Sequence, residues 1–374
     1  MQFINLKEQY KTLKVEIDKE IEKVLVSGQY ISGSQVELFE NQFSEYLGVK
    51  NVICCASGTD ALQLIYMATQ IDKNQGVFVP DMTFISTVEP ACMLGAVPVF
   101  CDIDPKTYNI CPLDLEAKIR KALAEGVIIP KYIVAVDFLG NPCEFDKIAN
   151  IAQKYELILV EDSAQGTGAV YKNRKCGSFG YASATSFFPT KPLGGYGDGG
   201  AVMTDDDGLA EVIRSLRTHG MGKNKYDNIR IGLNSRLDTI QAAILSVKLK
   251  YLDREIEVRE KKAETYNHAF KDILTIPHVN SDCRSAFAQY TVLADDRNQR
   301  DRIMRKLAEK SIPTIIYYPN GLHNLPVFRD SYNANDHFPN VDTYEKNSVA
   351  LPFSPYLSNQ EQSAVIDAVL SCFS

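Results

Sequence analysis

Apolar residues near the start of the chain recur every three or four positions. They fall at Leu13, Ile17, Ile21, Val24 and Leu25, then at Val36, Phe39, Phe43 and Leu47. This spacing predicts two amphipathic helices, separated by residues 27–33 and ended by Gly48. The pattern then changes. Short continuous apolar runs at 52–55, 77–79, 97–100, 132–136 and 157–160 alternate with stretches of helical spacing. Runs that are apolar on both faces predict a mainly parallel sheet covered by helices on both sides. Ligands of such sheets gather beyond the carboxyl ends of the strands, where Asp81, Asp102, Asp137 and Asp162 fall; most read as loop or capping residues, but Asp162 differs because Gln165 follows it closely and Lys191 lies downstream. Residues 201–204 predict one more strand, and 218–228 a polar loop. From Ile240 a helix is expected to run unbroken past Leu252 and to bridge to a smaller unit. There, apolar 286–293, helical 297–310 and β-rich 314–318 give an α+β character. The expected division is a large domain at 1–250 and a small C-terminal domain at 251–374.

Composition narrows the function. The 374 residues are 45% hydrophobic and 23% charged, an ordinary soluble balance. A net charge of −7 argues against nucleic acid or an anionic membrane as partner. Nine cysteines, none in a Cys-x-x-Cys pair, indicate reduced thiols and a cytoplasmic location. The first residues carry no signal pattern, and no run is long and apolar enough to span a bilayer. Five histidines without ligand spacing predict no metal site.

One stretch concentrates the chemistry. Lys191 lies between the apolar Phe187, Phe188, Pro189 and Leu193 and a glycine-rich run ending at Gly200. Apolar walls lower an ammonium's pKa and make the amine a nucleophile, as a Schiff-base lysine requires. Glycines let backbone approach a ligand closely. Upstream, residues 52–55 lead through Ser57-Gly58-Thr59-Asp60 into helical spacing, a layout that aims free N–H groups at an anion.

Four motifs in this order carry a resemblance: Ser57-Gly58-Thr59-Asp60-Ala61-Leu62, Glu161-Asp162-Ser163-Ala164-Gln165, Ser186 to Lys191, and Gly232-Leu233-Asn234-Ser235-Arg236-Leu237-Asp238. The chain resembles the DegT/StrS sugar-nucleotide aminotransferases, pyridoxal-phosphate (PLP) enzymes of fold type I. The likeness runs from Asn5 to Pro352. It implies an aspartate-aminotransferase-like α/β fold, with a mainly parallel seven-stranded sheet and a small α+β C-terminal domain. It also implies that Lys191 binds the cofactor aldehyde, Asp162 pairs with the pyridine nitrogen and Gln165 meets the phenolic oxygen. Gly58, Thr59 and Ser186 would hold the phosphate, and Phe84 would line the cofactor site. Asn234 would reach the phosphate of a neighbouring subunit, which implies a homodimer with shared sites. The implied partners are L-glutamate and a keto-sugar nucleotide. Within the family, residues 86–89, 186–200, 288–291 and 317–319 resemble the branch acting on UDP-linked 3-keto-N-acetylglucosaminuronic acid. Gly195 and residues 320–323 depart from that branch. Tyr30, Arg230, Tyr317, Tyr318 and His323 are the candidate substrate contacts, Arg230 because its planar fork suits an oxyanion pair. Two alternatives stand beside this reading. One is a non-catalytic PLP-binding regulator, although no helix-turn-helix or basic patch is seen. The other is a nucleotide-binding protein, although no phosphate-loop signature follows a predicted strand.

Overall fold

The computed structural model describes residues 1–373. The two N-terminal helices form at Leu6–Ser27 and Ser34–Leu47. The Asn5 side chain accepts the Glu8 N–H at the first start, and Gly28, at φ +64°, ends that helix in the left-handed conformation.

Seven strands make the central sheet. In spatial order they are Asn51–Cys55, Gly200–Thr204, Ala182–Ser186, Ile158–Asp162, Ile129–Val136, Gln75–Pro80 and Val97–Cys101. Gly200–Thr204 runs antiparallel to both its neighbours, and every other pairing is parallel. The sheet is buried on both faces because successive strand residues point to opposite sides. Ile133 and Ala135 join a core with Phe39, Phe43 and Ile148, on helices of one face. Tyr132, Val134 and Val136 join Leu64, Ile65 and Ile213, on helices of the other. A separate core gathers Tyr266, Phe270, Tyr290, Val349, Phe353 and Val365 around the antiparallel pair Tyr290–Leu293 and Ser348–Leu351.

Two expectations change. The long bridging helix is two, Thr239–Leu249 and Leu252–Phe270. The join falls where an apolar, almost wholly buried segment meets a charged one that can bury only one face. Residues 314–318 form no strand, only a single bridge from Ile315 to Ala350. The aspartates at the strand ends are buried, and Asp102 acts as a capping residue for the helix Pro339–Asn347. Asp81 accepts from His323, and Asp102 accepts from Asn340 and Val341.

Candidate active site

The site is assembled on one rung of the sheet. Gly200 pairs with Cys55 on one side and with Ser186 on the other. Two residues after Cys55, Ser57 caps the helix Gly58–Ala68 by accepting the Asp60 N–H at 3.0 Å. Among the described residues the Gly58 and Thr59 amides meet no acceptor, as expected at a helix N-terminus. The helix start lies hard against Ser186, since a Cβ on Gly58 would sit 2.8 Å from Ser186 Cβ. Gly200 is equally confined, because its Cβ would meet the Ser57 carbonyl at 2.4 Å. Backbone donors and the Ser186 hydroxyl therefore converge on one small cradle.

Lys191 stands in the loop between the strands Ala182–Ser186 and Gly200–Thr204. Phe187 N–H donates to Gly199 O at 2.7 Å and Gly195 N–H to Phe187 O at 2.7 Å, which closes the loop on itself. The helix Thr239–Leu249 pins it from outside: Gln241 Oε1 accepts the Tyr196 N–H at 2.7 Å, and the buried Lys248 ammonium donates to Gly194 O. Burial lowers the Lys191 pKa, and the charge of Asp162 partly opposes that fall. Burial of this kind favours the neutral amine, the form in which a lysine attacks a carbonyl.

Asp162 ends its strand, buried. Its Oδ2 accepts from Thr87 Oγ1 at 2.8 Å and its Oδ1 from Ala164 N–H at 3.2 Å. Burial raises its pKa, against the pull of Thr87, Ala164 and Lys191. Gln165 is oriented at both ends: its Oε1 accepts the Leu139 N–H at 2.7 Å, and its Nε2 donates to Tyr318 OH at 3.3 Å. Tyr318 packs between Phe84 and Phe138, with ring centroids 5.7 and 6.1 Å away.

Lys191, Asp162, Gln165, Ser186, Gly58, Thr59, Phe84 and Tyr318 thus border the carboxyl ends of the strands. Tyr317 packs edge-on against Tyr318 and near Phe3. The remaining candidates lie elsewhere within the single chain. Tyr30 is exposed, with its carbonyl accepting Thr239 N–H. Arg230 is exposed and, among the described residues, reaches only Ser215, and the exposed Asn234 side chain has no hydrogen bond among them. His323 is held by Asp81, with Nδ1 2.6 Å from Oδ2, and leans on Phe338. Sequence reasoning missed Thr83, Thr87, Gln241 and Lys248. Thr87 lies in the 86–89 stretch, where only the overall likeness was noticed. Lys248, a lone cation in an otherwise apolar helix, was a readable signal.

The profile of the DegT/DnrJ/EryC1/StrS aminotransferase family matches residues 11–370. The chain belongs to that family. This aminotransferase is 40% identical over 358 residues to UDP-2-acetamido-2-deoxy-3-oxo-D-glucuronate aminotransferase of Pseudomonas aeruginosa, with 96% of each chain covered. It superposes on a DegT DnrJ EryC1 StrS aminotransferase from Brucella abortus with a TM-score of 0.96, at 42% identity and 99% coverage of both chains. NtdA from Bacillus subtilis, solved with bound cofactor PMP, gives 0.86 at 28% identity, covering 96% of this chain and 82% of that one. The aminotransferase uses pyridoxal phosphate, and its residues fit that group. The glycine-walled cradle suits a phosphate, the buried carboxylate of Asp162 suits a protonated ring nitrogen, and the depressed amine of Lys191 suits an aldehyde.

Proposed function

We propose that this aminotransferase moves an amino group from L-glutamate to the keto group of UDP-2-acetamido-2-deoxy-3-keto-D-glucuronic acid, in the cytoplasm. The product would feed cell-surface polysaccharide such as lipopolysaccharide O-antigen. The observation that carries the substrate is the 40% identity to the Pseudomonas enzyme over nearly the whole chain. The reading includes a division into domains near residue 250, which the separate C-terminal core supports. It also includes a homodimer with shared sites. Support for that comes from the segment before the helix Thr239–Leu249, where Ile231 is 91% exposed and Tyr226 and Ile229 are exposed beside it. Such apolar residues beside the unpartnered Asn234 suit burial against a second copy.

Bound pyridoxal phosphate supplies an electron-withdrawing ring and an aldehyde that carries the amine between the two substrates. Gly58 and Thr59 N–H groups, the Thr59 hydroxyl and Ser186 Oγ hold its phosphate at the helix start. Asp162, whose carboxyl Thr87 supports with a hydrogen bond, would hold the proton on the ring nitrogen. Gln165, its amide fixed by Leu139 and Tyr318, would turn its remaining N–H to the phenolic oxygen. Lys191 Nζ removes the proton from the donor's Cα in the first half-reaction and delivers a proton to the sugar carbon in the second. Arg230, brought by the partner copy, would meet the uronate or pyrophosphate. Tyr317, Tyr318 and His323 would border the sugar, and Tyr30 would line its entrance.

Glutamate-dependent amination should be assayed against a panel of UDP- and dTDP-linked 3-keto and 4-keto-6-deoxy sugars. Formation of 2-oxoglutarate with the UDP-linked 3-keto uronate above all others is expected. Turnover of another keto sugar, with none of this one, overturns the substrate assignment.

A further inference from the structure

Glu161 precedes Asp162 and, by strand alternation, points to the opposite face of the sheet. It is fully buried, as is Asp137 at the end of the neighbouring strand. Glu161 Oε1 accepts the Gly177 N–H at 2.7 Å and Oε2 the Phe179 N–H at 2.8 Å. Asp137 Oδ1 accepts the Cys143 N–H at 3.2 Å, while its Oδ2 is buried without a partner among the described residues. A ligand atom from each of Asp137, Glu161 and Cys176 lies within 4.8 Å of the others. The titratable groups around the pair are Cys143, Cys176 and Cys283, all acids. No described ion pair includes either carboxyl.

Two ionised carboxylates cannot be held together in such a place without a counter-charge. We propose that Asp137 and Glu161 share a single proton and act as a positioning pair for Asp162 and Gln165. The inference rests on the roles proposed for those two residues. Burial raises both carboxyls; Glu161 raises Asp137 further, while the hydrogen bond from Asp137 lowers Glu161, the asymmetry expected when the shared proton rests on Asp137.

The bond so formed fixes the turn that begins at Asp137, and that turn braces the cofactor side. Asp137 N–H donates to Asp162 O at 3.1 Å, and Leu139 N–H donates to Gln165 Oε1 at 2.7 Å. Gly166 lies so close that a Cβ there would sit 2.3 Å from Asp137 Oδ2. With one proton the pair places one negative charge behind Asp162. With none it would place two, pushing Asp162 toward its neutral form. The same trio could offer ligands to a metal ion, but both Glu161 oxygens already accept N–H donors and burial raises the Cys176 thiol.

The direct test is infrared spectroscopy of the cofactor-loaded protein at pH 8, in water and in D2O. A protonated-carboxyl band that shifts on deuteration is expected in the wild type. It should be lost in both Asp137→Asn and Glu161→Gln, since either amide leaves one ionised carboxylate. No band, or a band kept in both variants, overturns the proposal, as does stoichiometric metal in the purified protein that disappears in Asp137→Asn. A second measurement separates positioning from packing. Asp137→Leu, which removes the bond, should weaken cofactor retention on the order of tenfold and move the pH midpoint of the cofactor's absorbance. Asp137→Asn should restore both toward wild type. Equal behaviour of the Leu and Asn variants overturns the positioning role, and if Asp137→Leu does not fold the infrared comparison decides. Because the band needs no substrate, its presence in a protein that aminates no keto-sugar nucleotide would leave this inference standing and remove only the substrate reading.

Discussion

Thr87 Oγ1 donates a 2.8 Å hydrogen bond to Asp162 Oδ2, and Thr83 Oγ1 lies 2.8 Å from Thr87 Oγ1 in turn. The Thr87 hydroxyl lowers the Asp162 pKa against the larger upward push of burial. Thr87→Val keeps the volume and removes the donor. A hydrogen bond to a charged group contributes about 1.5–3 kcal/mol, so kcat should fall roughly tenfold to a hundredfold. Catalysis needs Asp162 ionised, so raising its pKa should move the acid limb of the pH–kcat profile to higher pH. A profile that keeps its acid limb would show that Thr87 does not support the carboxylate.

Gly58→Ala tests the cradle. The added methyl would meet Ser186 Cβ at 2.8 Å and Cα at 3.3 Å, and overpacking of this kind costs about 1–3 kcal/mol. Fluorescence titration of the apoprotein should show cofactor binding weakened by roughly tenfold or more. Unchanged affinity would place the phosphate elsewhere.

The proposed sharing of sites between two copies makes a third expectation. Lys191→Ala should abolish turnover and borohydride trapping while the protein stays folded. Asn234→Ala should remove a hydrogen bond to a charged phosphate, a contact worth about 1.5–3 kcal/mol. In a mixed dimer one site carries both changes and the other neither, so activity should recover toward half that of the wild-type dimer. Confirmed subunit exchange with no recovery would place both residues in one chain's site.

The His323–Asp81 pair sets a pH dependence of stability. Burial lowers the His323 pKa, but the hydrogen bond and charge of Asp81 outweigh it, and the net shift is upward. A raised folded pKa gives stability that is complete below the unfolded value, about 6.5, and is lost as pH rises through the folded one. Asp81 is itself raised by burial, an effect acting at lower pH, in the carboxylate range. The stability difference between wild type and His323→Gln, from urea unfolding, should therefore be larger at pH 5.5 than at pH 8.5. A difference that is flat or grows with pH would contradict the pairing.

Much of this architecture was legible in the pattern of apolar residues. The strand runs are apolar on both faces because helices cover both, so their sum announces a parallel sheet. Lys191, Asp162 and the Ser57–Thr59 turn stood out because each joins a reactive or donor group to local backbone geometry. Thr87 and Gln241 did not, since their partners lie 75 and 45 residues away in sequence and nothing local marks them. The break at Lys250 and Tyr251 was missed for a similar reason: periodicity on either side suits a helix, and only packing decides that there are two. Asn234 and Arg230 are exposed in the chain, and the proposed second copy would cover them.

The rung joining Cys55, Gly200 and Ser186 also bears on how such an enzyme can change. A one-residue slip there would displace the lysine loop, Ser186 and the helix start together, so the cofactor apparatus can only be inherited or lost as a block. Residues 218–234 and the turn around Tyr317 lie outside that rung. An engineer redirecting the enzyme toward a different sugar would graft those two segments and leave the sheet edge untouched.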